Sequence, residues 1–103
     1  MATRTLLQVV RVATELGTNL EFVESLAQAE LIHIEHDPAG EALISTEDAE
    51  RVRLVQLLTS ELDVNLPGAE VILHMREDMM AMQRQVQEIL EAVAAELRQR
   101  GRR

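Results

Sequence analysis

Near the start of the chain the apolar residues Leu7, Val10, Ala13 and Leu16 recur three apart, as one face of a helix requires. The spacing predicts a first helix over about Leu6–Leu16, closed by Gly17. Thr18 and Glu21 then read as a T-x-x-E capping box opening a second helix over about Asn19–Ala29. That helix would turn Leu20, Val23 and Ala27 inward, with Leu26 beside them, and leave Glu21, Glu24, Ser25 and Gln28 outside. The stretch "LIHIEHDPAGEALIS" changes the pattern. Leu31–Glu35 and Ala42–Ile44 are short extended candidates around "DPAGE", where Pro38 fixes one φ and Gly40 can take a positive one. Ser45 and Asp48 signal a third helix, which runs to about Asp63 on Val52, Val55, Leu58 and Leu62.

After the break "VNLPG", Asn65 or Leu66 would cap a last helix with Pro67 in its first turn. Nothing interrupts it before Arg100, so about 35 residues make a rod of roughly 50 Å. A domain of about 65 residues has a radius of gyration near 11 Å, so the rod is expected to overshoot it. The overshooting half carries Ile72, Met75, Met79, Met82, Val86, Ile89 and Val93 at alternating three and four spacing, a heptad seam that Leu90 and Leu97 widen. Burial is worth about 1.5–3 kcal/mol per full side chain, so a solvated seam is costly. A homodimer through Met75, Met79, Met82, Val86, Ile89, Leu90, Val93 and Leu97 is expected, with packing back onto the chain's own domain as the lesser alternative.

Composition adds little until charge is considered. A length of 103 residues suits one small domain, residues 1–64, followed by the helix and its basic tail, residues 65–103. There is no cysteine, hence no disulfide framework or thiolate metal site, and Phe22 is the sole aromatic residue. The apolar stretch at the start is too short for the core of a signal peptide, and no segment reaches bilayer length; a soluble cytoplasmic protein is expected. The net charge is −8, and it is lopsided. Between Arg11 and Arg51 the only basic residues are His33 and His36, against Glu15, Glu21, Glu24, Glu30, Glu35, Asp37, Glu41, Glu47, Asp48 and Glu50. Duplex binding depends on Lys and Arg displacing counterions, so this half of the chain would repel DNA.

The order of two helices, a hairpin, a third helix and a long helix meets a known family in specific stretches. "ISTEDAERVRLVQLL" resembles the segment after the wing of MerR-type winged helix-turn-helix proteins, and "LDVNLPGAEVIL" resembles the loop and helix start that follow. The resemblance covers roughly Leu6 to Met82 and implies a mainly α fold, with a small β-hairpin wing and a long C-terminal dimerisation helix. DNA-binding members carry Arg with paired Tyr in the second helix and a basic wing. Here "LEFVESLAQAELIHIEHDPAGEALIS" has neither. With the "DVNLPGAEVILHM" turn and the Met-rich terminal helix, the chain looks like the CbpM-type chaperone modulators. That resemblance implies binding to the J-domain of a DnaJ- or CbpA-like co-chaperone and inhibition of its work with a DnaK-type chaperone. Such J-domains present a basic second helix beside an HPD loop.

Exposure and charge, rather than any family motif, place the expected partner surface on Glu21, Glu24 and Gln28, with Glu35, Asp37 and Glu41 as a second rim. Acidic runs are often mere solvated faces; the lack of balancing cations is what argues for a partner here. The alternative reading is a MerR-type DNA-binding transcriptional regulator, and a third is a dimerisation adaptor for some other basic protein. "HIEHD" is a poor metal site, because in an extended segment His33 and Glu35 face away from His36. Met75, Met79 and Met82 belong to the seam by spacing, while Met80 falls off it. Arg98, Arg100, Arg102 and Arg103 close the chain, where a helix end favours cations. No Cys, phosphate loop or Ser–His pattern supports catalysis, and no cofactor is implied; the expectation is a non-enzyme without nucleic-acid or membrane partners.

Overall fold

A computed structural model describes residues 5–102. The element order is β1 (Leu6–Gln8), α1 (Val9–Glu15), α2 (Leu20–Gln28), β2 (Glu35–His36), β3 (Ala42–Ser45), α3 (Thr46–Ser60) and α4 (Leu66–Gly101). The chain divides into two compact units, Met1–Glu70 and Val71–Arg103, so the division falls inside α4.

In the first unit the three strands form an antiparallel sheet in the order β1-β3-β2. β3 is the central strand, with Leu7 opposite Ile44 on one side and Glu35 opposite Leu43 on the other. β1 departs from the expected first helix, whose first residues are strand instead. Leu6–Gln8 finds its partner in β3, and that long-range pairing outweighs the local helical pattern. The helix therefore starts at Val9, and its inward face shifts accordingly. Val9, Val12 and Ala13 are buried, while Val10 is 60% exposed.

The first extended candidate also shrinks. Leu31 and Ile32 are buried outside any strand, and β2 keeps only Glu35–His36. The turn forms as expected: the Gly40 N–H donates to the Asp37 carbonyl at 2.9 Å, and Gly40 takes φ 86°. α3 stops at Ser60, short of Asp63, and Leu62 is exposed beyond it.

α1 and α3 both pack on β1 and β3, and α1 also packs on α2. The largest fully buried side chains of this unit are Val9, Val23, Leu26, Ile44, Val52 and Val55. Leu20, expected inside, is exposed at the start of α2 and Ala27 is only half-buried, while Val23 and Leu26 lie inside as expected. α4 opens at Leu66 with the Asn65 side chain accepting the Gly68 N–H at 2.8 Å and Pro67 in the first turn.

Candidate protein-binding surface

The site is built on the second helix of a helix-turn-helix. Gly17, at φ 69°, lets the chain reverse after α1. The Thr18 N–H donates to the Ala13 carbonyl at 2.9 Å, and the Gln56 side-chain amide of α3 donates to the Leu16 carbonyl at 2.8 Å. These bonds fix the turn from both ends. Asn19 caps α2, accepting the Phe22 N–H at 2.8 Å. The expected Thr18–Glu21 box is displaced by one residue, and Glu21 is left in the first turn, where the dipole favours an acid.

Val23 and Leu26 are buried on one side of α2. Glu21, Glu24 and Gln28 are exposed, spaced by three and four residues and therefore neighbours on the opposite face. The hairpin carries the second acidic group. Glu41 is exposed, Glu35 is half-buried, and the Asp37 carboxylate is partly committed, accepting the Glu41 N–H at 2.8 Å. His33 and His36 are both exposed. Among the described residues no group of three or more His, Cys, Asp or Glu is placed to hold a metal ion.

The described arginines of this unit are already engaged. Arg11 pairs with Glu15 at 3.3 Å, Arg51 with Asp48 at 2.9 Å, and Arg53 with Glu50. Arg51 thus pairs with Asp48, a residue first read as a helix-start signal. Asp48 is buried, and it also accepts the His33 N–H while its own amide donates to the Ser45 hydroxyl. Hydrogen bonding to Glu50, and then its charge, raises the Arg53 pKa above the ordinary guanidinium value.

In the second unit the seam lies open. Met75, Met79, Met82, Val86, Ile89, Leu90, Val93 and Leu97 are each at least half exposed. Met80, off the seam, sits one heptad beyond buried Leu73 and so continues the Leu73 face. Arg98 and Arg100 occupy the last turn of α4, and Arg100 pairs with Glu96 at 3.3 Å. Arg103 lies outside the described residues.

The family model for MerR HTH family regulatory proteins matches residues 7–91, which takes in the helix-turn-helix, the hairpin and most of α4. The chain belongs to that family. No curated protein matches it by sequence. As a MerR HTH family protein it has a mainly helical fold, a small three-stranded antiparallel sheet and a long C-terminal helix. The family is regulatory and typically non-enzymatic. Among the described residues no helix is long and apolar enough to cross a membrane. α2 is the helix that would face DNA in a DNA reader of this kind, and here its exposed residues, Leu20, Glu21, Glu24 and Gln28, include no cation.

Proposed function

We propose that this MerR HTH family protein is a chaperone modulator of the CbpM type. It docks on the basic face of the J-domain of a DnaJ- or CbpA-like co-chaperone and inhibits that partner's work with a DnaK-type chaperone. The observation that carries this reading is the charge of the exposed α2 face. Glu21, Glu24 and Gln28 stand where a duplex reader needs cations, and the described arginines of the same unit all face carboxylates.

The mechanism is occlusion. Opposite potentials speed the encounter, and contacts at the docked face slow release. The acidic hairpin rim, Glu35, Asp37 and Glu41, extends the field that a basic partner meets. The exposed α4 seam supports a homodimer through a coiled coil, which would present two such faces to the co-chaperone.

The test is a binding titration against a J-domain at low salt. Glu21→Arg with Glu24→Arg is expected to weaken binding by roughly tenfold or more while circular dichroism stays unchanged. Undiminished affinity removes the surface. The competing DNA-binding reading predicts retention of genomic fragments in an electrophoretic assay at physiological salt, whereas the J-domain reading predicts none.

A further inference from the structure

Val86 stands at the centre of a mirror in the sequence of α4. Exposed apolar residues fall four, seven and eleven positions away from it on both sides: Met82 and Leu90, Met79 and Val93, Met75 and Leu97. At 3.6 residues per turn all six lie within about 40° of Val86 around the helix, so the seven form one narrow strip. Each of them is 50–64% exposed. The steps along the strip are 4, 3, 4, 4, 3 and 4, which is an 11-residue repeat and not a heptad one. Ile89, a seam member by heptad spacing, turns about 60° away from Val86 and marks the edge of the strip.

A mirrored spacing is what a helix needs to pack on a copy of itself running the other way. In such a pair, residues equally far before and after the centre meet. A strip that differs from its own reverse would set side chains against gaps. An unrelated helix, or the chain's own domain, imposes no mirror. A copy running in the same direction imposes none either, because each residue then meets its own equivalent. That arrangement would also crowd Arg98 and Arg100 of the last turn against the same cations of the second copy. The reversed pair lays this basic turn over residues 72–78 of the second copy, where Glu77 and Asp78 outnumber Arg76.

We propose that two copies of this chain pair through α4 in opposite directions, with Val86 on the two-fold axis. Met82 then meets Leu90 of the second copy, Met79 meets Val93, and Met75 meets Leu97. The adaptable thioether half of each strip packs on the branched half of the other. Fourteen side chains exposed to this degree offer on the order of 1,000 Å², the size at which stable interfaces begin. The 11-residue repeat leaves the pair nearly straight, with a slight right-handed winding. The proposal rests on the homodimer reading of the seam, to which it adds a direction and a register, and it is independent of what binds the α2 face.

The chain has no cysteine, so introduced cysteines in the full chain are read without background. Met75→Cys and Leu97→Cys are made separately, then unfolded and refolded together under mild oxidation. A disulfide forms only where Cα atoms lie within about 7 Å, hence between positions that face each other. Intact mass tells the mixed pair from either like pair, and the mixed disulfide is expected at roughly tenfold the yield of either. Val86→Cys alone is expected to cross-link with itself. Met79→Cys with Val93→Cys repeats the test one layer inward, should the outer pair disturb the helix by circular dichroism. Like pairs of Met75→Cys in excess overturn the direction. A dimer by light scattering that yields no mixed disulfide in either layer overturns the register and leaves the homodimer standing. A single-chain mass for the wild type overturns the homodimer, and the register with it.

Discussion

The Asp48 carboxylate accepts the backbone N–H of His33, 15 residues earlier in the chain, at 2.9 Å. Its other oxygen meets Arg51 at 2.9 Å, so one buried acid ties the loop after α2 to the first turns of α3. Hydrogen bonds to a charged group contribute about 1.5–3 kcal/mol each. Asp48→Ala is expected to cost about 2–3 kcal/mol, measured by urea unfolding. Asp48→Asn keeps an acceptor for His33 and loses the charge facing Arg51, so it should cost less. Equal stability of Asp48→Ala and wild type would show that the acid is not a tie.

The α2 cap provides a smaller and cleaner case. Asn19→Ala removes the acceptor of the Phe22 N–H and is expected to cost about 1 kcal/mol, while Thr18→Ala stays within about 0.5 kcal/mol. Thermal melts of the two variants check the assignment of Asn19 over Thr18.

Leu26 and Ile44 are both fully buried, Leu26 on α2 and Ile44 on the central strand. Leu26→Ala is expected to destabilise by about 2–5 kcal/mol, as truncation of a packed core leucine does. Val10→Ala, at a position 60% exposed, should change stability by less than about 0.5 kcal/mol. The contrast tests the inward face of α1 and α2 as the structure draws it.

On the long helix, Val86→Glu with Ile89→Glu places two charges inside the proposed coiled-coil seam. Light scattering coupled to gel filtration is expected to move from twice the 11.6 kDa chain mass to a single chain. Helicity by circular dichroism should fall alongside, because an unpaired amphipathic helix loses its packing partner. An unchanged mass would exclude these residues from the dimer contact.

Legibility in the sequence followed the source of each signal. α3 and α4 could be read because Ser45, Asn65 and Pro67 act locally and the helices are long enough to show a period. β1 could not. Its three residues are too few for a period, and its strand character comes from Leu43 to Ser45, far along the chain. Leu31 and Ile32 looked like strand because they are apolar and partly β-branched, but burial in an irregular segment selects the same residues. The inward face of α1 slipped because the helix begins at Val9, a boundary set by β1. The acidic surface was legible for a different reason: it depends on cations being absent over a long stretch, which needs no geometry.

The central place of β3 bears on how the protein assembles itself. Its pairing with β2 closes a short hairpin, an event of microseconds that needs no distant help. Its pairing with β1 closes a loop of roughly forty residues, and the entropy of that closure is met only after much of the intervening chain is ordered. During synthesis β1 therefore waits for its partner until the wing has emerged, whereas the hairpin closes on residues that leave the ribosome together.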